Sequence, residues 1–196
     1  MDPKDILFSV PTLCDRTPET AKKPPSGDFC SVHEDDWRQI EFVAKSNLAH
    51  VQNELTALSV FKEQHRKGPG WNSVYIRKEH PTPLARLALQ SSSLPLLCKK
   101  ALVMGSTPPW VGTVPGGLVV SDGGDWFIYG HSAPDGQVLQ LAVSPARTVL
   151  SDRFARVFPE LSRAAGLLLV DWNLVSIVDT STPELVLAWA ARYHGP

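Results

Sequence analysis

The sequence predicts an α+β fold: a mainly antiparallel sheet packed against one long amphipathic helix, at about residues 35–66, and a C-terminal helix at 184–193. Three observations carry this. Apolar residues recur at helical spacing through Trp37, Ile40, Ala44, Leu48, Val51, Leu55 and Leu58. Short apolar runs over 111–143 are separated by Gly- and Asp-rich joints, the pattern of a β-meander. Two more strand-like runs fall within 167–178, just before a capped helix start.

Ser31 and Glu34 stand at capping-box spacing, and Asp35 and Asp36 suit the positive end of a helix. Glu41 and Lys45 form an i,i+4 pair in the favourable order. Past Phe61 the apolar stripe gives way to Lys62 and Arg66, and Gly68-Pro69-Gly70 then stops the helix. Phe42 and Val60 fall on the opposite side of this predicted helix. That back face is therefore a candidate contact for a second surface.

Gly117–Val120, Asp125–Tyr129 and Gln137–Val143 form the meander, and Leu167–Trp172 and Leu174–Val178 are the late strands. Trp71–Arg77 reads as a further strand, and Ile6–Val10 as an edge strand. Trp126 and Ile128 share one face, Phe127 and Tyr129 the other, so this sheet is expected to be covered on both sides. Phe127, Tyr129 and the loop residue Trp110 join Phe42 and Val60 as candidate partner-binding residues. Ser181-Thr182-Pro183-Glu184 opens the last helix, with a capping box and Pro in the first turn. Residues 1–30, punctuated by Pro11, Pro18, Pro24 and Pro25, read as an irregular arm before a single domain over 31–196.

Composition bounds the function. The 196 residues are 43% apolar and 20% charged, close to the globular average. The 19 basic and 20 acidic residues nearly cancel, with no basic cluster of the kind nucleic acid demands. No run approaches the roughly 20 apolar residues of a membrane span, and Met1–Asp5 has no signal-peptide pattern. A soluble, cytoplasmic protein is expected, bound neither to nucleic acid nor to membrane.

The chemistry-bearing residues form no motif. Gly116-Gly117 and Gly123-Gly124 precede strands, not the helix N-terminus a phosphate loop requires. Cys30 and His33 make one C-x-x-H pair, where a structural zinc site wants two, so no metal and no cofactor are expected. Cys98 beside Lys99 and Lys100, His131 and Asp125 near hairpin joints, and Asp171 at the end of an apolar strand are the weak catalytic candidates. The expected function is a non-enzymatic protein-interaction module, of the kind of a bacterial immunity or accessory protein, whose partner is another protein or a second copy of itself. The alternative is a hydrolase-type enzyme whose site assembles from Asp171, His131, Asp125 and Cys98. Convergence of at least two of these in one pocket separates the two.

Overall fold

The computed structural model describes residues 2, 5–21, 27–95, 100–105 and 112–194. In chain order its elements are β1 (Thr12–Cys14), β2 (Phe29–Val32), β3 (Ile40–Ala44), α1 (Leu48–His65), β4 (Arg66–Lys67), β5 (Gly70–Trp71), β6 (Tyr75–Arg77), β7 (Ala101–Met104), β8 (Gly112–Thr113), β9 (Gly117–Val120), β10 (Phe127–Ser132), β11 (Val138–Ser144), α2 (Asp152–Ala155), α3 (Val157–Ala165), β12 (Leu167–Asp171), β13 (Ser176–Val178) and α4 (Pro183–Ala190). The α+β class holds. A six-stranded antiparallel sheet runs β13-β12-β3-β11-β10-β9, joining the meander to the late strands through β3.

The sheet is the middle of three layers. One face carries Ile40, Phe42, Leu118, Val120, Ile128, Leu141, Val143, Leu167 and Leu169 against α2, α3 and α4, through Phe154, Phe158, Leu161, Val186 and Trp189. The opposite face is covered in two halves. Val43, Val170 and Trp172 pack under Val51 and Leu58 of α1. Val119, Tyr129 and Ala142 pack under a small sheet, β2-β7-β8, with Trp37 between. Both faces are covered, as the aromatic pattern of β10 implies, and the cover is the chain itself.

The long helix is where sequence and structure part. Residues 40–44 form the central strand β3, and helix begins only with a 3-10 turn at Lys45–Asn47 that runs into α1. Every residue of β3 is buried, because both its faces are covered. Such a strand is apolar or pairs its polar group internally, so it can supply apolar residues at helical spacings by coincidence. The predicted capping residues serve other ends. Ser31 lies in β2, while Glu34–Asp36 form a separate 3-10 turn capped by the His33 ring, which accepts from the Asp35 amide at 3.1 Å. Arg38 then takes φ +59°, a left-handed conformation that no helix continues through. The other end is as expected: α1 stops at His65, where the stripe has turned basic. Its 18 residues span about 27 Å.

Phe42 accordingly is not on the back of a helix. It is 1% exposed, 5.9 Å from the Phe158 ring, in the core facing α3. Val60 does lie on the outer side of α1, 52% exposed. The two positions should respond very differently to truncation. Phe42→Ala is expected to cost about 3 kcal/mol from lost burial and the cavity left behind, and Val60→Ser less than about 0.5 kcal/mol. Equal costs in chemical denaturation would contradict the placement of β3.

Smaller departures have local causes. The run Trp71–Arg77 is split into β5 and β6, and β6 pairs in parallel with β1. Of Ile6–Val10 only Phe8 pairs, as an isolated bridge to Trp71. The break between α2 and α3 falls at Arg156, and Pro159 is accommodated in the first turn of α3, where its missing N–H costs no helical bond. Gly166, at φ +60°, ends α3 in the left-handed cap that glycine favours. On β10, a Cβ at Gly130 would lie 2.0 Å from the Gln140 carbonyl oxygen, so glycine is required for the close approach of β11. Helix α4 starts at the predicted segment with Pro183 in its first turn, but its cap is Thr182, which accepts from the Leu185 amide, and not Ser181 of the capping box.

Candidate functional site

Among the described residues, the densest polar chemistry surrounds Glu41. Within β3 the side chains alternate, so Ile40, Phe42 and Ala44 face α2–α4 while Glu41 and Val43 face the other way. Glu41 is 1% exposed, opposite Ala142 of β11 and Val170 of β12. Its carboxylate accepts from Arg38 Nε at 2.6 Å, Arg77 Nη1 at 2.8 Å, Trp172 Nε1 at 2.9 Å and His80 Nε2 at 3.0 Å. Arg38 also donates to Glu79 at 3.1 Å and to Cys14 Sγ at 3.2 Å. Arg77 donates to Thr12 Oγ1 at 3.0 Å and to the Arg38 carbonyl at 2.9 Å, with its guanidinium 4.6 Å over the Trp172 ring.

Charge is balanced inside this hub. Burial raises the Glu41 carboxyl, but Arg38, the His80 hydrogen bond and Arg77 outweigh it and hold the group well below the carboxylate range. Burial lowers both guanidinium groups. Glu41, Cys14 and Glu79 more than offset this at Arg38, while Arg77 stays below its ordinary value. Burial pushes the Cys14 thiol up, which leaves it protonated and a poor nucleophile. The adjoining cleft, lined by Arg38, Glu41, Glu79, His80 and Gln140, has a volume of about 20 Å³, room for one water. The hub's hydrogen bonds are spent on one another and on the chain segments around it. Its work is to tie β1 and β6 to the central strand. Gln39 Nε2 adds to the tie by donating to the Thr12 carbonyl.

Cys14, Asp15 and Glu79 bring ligand atoms within 4.8 Å of one another, the one such group of three among the described residues. Arg38 Nη1, however, already donates to both Cys14 and Glu79. A guanidinium thus stands where a metal cation would have to sit.

The three described catalytic candidates, Asp171, His131 and Asp125, do not converge. Asp171, at the end of β12, faces the helices. Its Oδ2 accepts from Trp189 Nε1 and Tyr193 Oη, both at 2.8 Å, and its Oδ1 from the Leu174 amide at 2.9 Å. Burial raises its carboxyl pKa against these bonds. His131 lies on β10, on the opposite face of the sheet, with its ring 6.3 Å from Trp37. Burial, then Arg38, lowers its pKa. Strands β3 and β11 separate β12 from β10, about 14 Å at ordinary inter-strand spacing. Asp125 is exposed in the loop before β10, in a shallow cleft with Asp122, Trp126 and Ser151. Cys98 and Trp110 lie outside the described residues.

The predicted partner-binding aromatics of β10 are interior. Phe127 is 9% exposed and Tyr129 fully buried, where its hydroxyl accepts from the Arg38 amide at 2.9 Å and donates to the Asp36 carbonyl at 3.0 Å. Val60 alone of the described candidates faces outward into an open depression. It shares a groove of about 460 Å³ with Asn53, Thr56, Ala57, Phe61 and Gln64 of α1 and with Tyr75 of β6. Phe61 and Tyr75 meet edge to face at 5.4 Å and form its floor, and Tyr75 Oη donates to Glu54 at 3.1 Å. Next along β6, Ile76 is 63% exposed.

Sequence reasoning missed the hub because Glu41 was assigned to a helix surface with Lys45. One signal was present: a single acid inside Ile40-Glu41-Phe42-Val43-Ala44 is an anomaly that only internal cations resolve. No helix among the described residues is long and apolar enough to cross a membrane. Comparisons with protein-family models, curated proteins and solved structures find no match.

Proposed function

We propose that this chain is a non-enzymatic protein-binding module, of the immunity or accessory kind, which holds one partner protein in the groove on the outer face of α1. The observation that carries this is the lining of the groove. Asn53, Thr56, Ala57, Val60, Phe61, Gln64 and Tyr75 are all uncharged, although α1 also carries Glu54, Lys62 and Glu63. An uncharged stripe with an exposed valine is ill suited to water and well suited to the aliphatic ridge of a helix or strand on another protein. The charges of the Glu41 hub, by contrast, are saturated by one another, and Asp171 and His131 stand on opposite faces of the sheet.

Because the groove carries no charge, partner binding is expected to survive high salt, unlike an interface steered by ion pairs. Site-specific photo-crosslinking in the native host tests the proposal. A benzophenone side chain at position 60 should give one discrete adduct, and the same group at exposed Asp135 should give none. Co-purification with the captured protein should persist at about 0.5 M salt and be lost in Ala57→Arg. Equal labelling from positions 60 and 135, or binding unchanged by Ala57→Arg, would overturn it.

A further inference from the structure

The wall of the groove opposite α1 is β6, and only one edge of that strand is used. It pairs in parallel with β1, with Tyr75 opposite Thr12, Ile76 opposite Leu13 and Arg77 opposite Cys14. The Tyr75 amide donates to the Pro11 carbonyl. Successive residues of a strand aim their N–H and C=O groups at opposite edges. Tyr75 and Arg77 therefore serve β1, and the N–H and C=O of Ile76 point away from it. Among the described residues no strand takes that second edge. The edge faces the groove. Tyr75 packs with the cluster under α1 and Cys14 with the cluster under the small sheet, so the order across this layer is α1, β6, β1. No described residue of β1 lines the groove.

Open strand edges invite pairing, and proteins guard them with charge. The end strand of the main sheet, β13, is guarded in this way: it borders a cleft that holds Lys45, Arg163 and Asp179. The edge of β6 opens instead onto a lining with no charged side chain. Both walls also leave a large apolar residue in water, Val60 on α1 and Ile76 on β6. An unused row of backbone groups thus lies beside an uncharged trough.

We infer that the groove takes its partner as an extended, uncharged segment that adds to the free edge of β6 as a further strand. This rests on the groove being the partner site and names what the partner presents there. The N–H and C=O of Ile76 bond the backbone of the added segment, the mode by which sheet edges capture peptides. Side chains alternate along a strand, so every second one points down beside Tyr75, onto Phe61 and past Ala57 and Val60. Those inward positions suit Val, Thr or Ile, because the lining holds no group to neutralise a charge. The three residues of β6 set the pairing length, about 10 Å of strand. A helix could fill the same trough, but its backbone is bonded internally and offers nothing to Ile76.

The probe is the blocked peptide acetyl-Thr-Val-Thr-Val-Thr-amide, titrated into the isotope-labelled full chain and followed by nuclear magnetic resonance. Binding should shift the amide signals of Ile76 and Val60 and slow hydrogen exchange at Ile76. Two further peptides carry N-methyl groups on the Val residues or on the Thr residues, which blocks one strand edge or the other. One of these should fail to bind and the other should bind. Ile76→Pro removes the free N–H and leaves the bonds of Tyr75 and Arg77 to β1 in place, and proline is tolerated where a strand's N–H faces outward. Ile76→Ala keeps the N–H. The proline variant should bind the peptide at least about tenfold more weakly than the alanine variant, the effect of leaving one acceptor unpaired. If Ile76→Pro does not fold, the two methylated peptides still decide with the wild type. The inference fails if the peptide does not bind, if both methylated forms bind alike, or if Ile76→Pro binds as Ile76→Ala does. Photo-crosslinking from position 60 separates this from the reading of the groove. An adduct with another protein that is lost in Ala57→Arg but unchanged in Ile76→Pro upholds the groove and overturns strand addition. An adduct of two copies of this chain overturns a separate partner, and no adduct overturns the groove and the added strand together.

Discussion

Glu41→Ala is expected to lower the folding free energy by about 5 kcal/mol, at the upper end of what breaking a buried ion pair costs, or to leave the chain unfolded. The size follows from what the carboxylate holds. Removing it strands two guanidinium groups, an indole N–H and an imidazole N–H in a space closed to solvent. None of the four can recover its bond from water without opening the layer above β3. Glu79 can take more of Arg38, but Arg77 is 3% exposed and has no second acid among its hydrogen-bond partners. Glu41→Gln keeps the volume and one acceptor oxygen, and should fall between the two. Denaturation in urea at pH 7 measures both. A loss from Glu41→Ala below about 2 kcal/mol, within the range of an ordinary point mutation, would mean that the hub is open to water.

The same group sets an acid limit. Its folded pKa lies well below the usual 4.5, so between the two values the unfolded chain binds a proton and the folded chain does not. Stability from Glu41 is therefore complete above the unfolded value and is lost as pH falls through the folded one. Asp171 has the opposite sign. Burial raises its pKa above 3.8, so acidification over that interval favours the folded state and offsets part of the loss. Wild-type denaturation midpoints between pH 3 and 7 should decline below about pH 4. The decline should steepen when Asp171 is replaced by Asn, which cannot titrate.

What could be read from the sequence was local, and what could not was assembled at a distance. The hairpin joints of the meander, the Thr182-Pro183 helix start and the basic end of α1 depend on residues a few positions apart, and each is where the sequence places it. Strand β3 defeated the same logic. With both faces covered it has no polar side to reveal its period of two, and Trp37, Ile40 and Ala44 happen to fall in phase with Val51, Leu55 and Leu58 of the true helix. Misplacing β3 hid the rest. Glu41 meets Arg77 across 36 residues and Trp172 across 131, so no window on the sequence contains the hub. The parallel pairs β1–β6 and β2–β7 likewise join short segments whose partners lie far along the chain.

Asp171 is one of the weak catalytic candidates of the sequence, and its replacement decides what it does. Asp171→Ala should cost about 4 kcal/mol, from buried donors left without an acceptor together with lost packing. The carboxylate joins three places: the indole of α4, the hydroxyl of the turn after it, and the amide that closes the loop to β13. The aromatic cluster nearby depends on that join. Trp126 meets Trp189 at 5.7 Å and Tyr193 at 5.9 Å, so freeing α4 should also change tryptophan fluorescence. Asp171→Asn is the sharper probe. The amide has one acceptor oxygen where the carboxylate uses two. If that oxygen faces Trp189 and Tyr193, the NH₂ group is turned against the Leu174 N–H. The reverse orientation sets it against two donors. Asparagine should therefore recover only part of the loss, and hydrogen exchange should show that the deficit sits in 183–193, not in the meander. A folded, fully stable Asp171→Asn protein would show the carboxylate to be no structural tie, and would return this buried acid to the list of groups free to do chemistry.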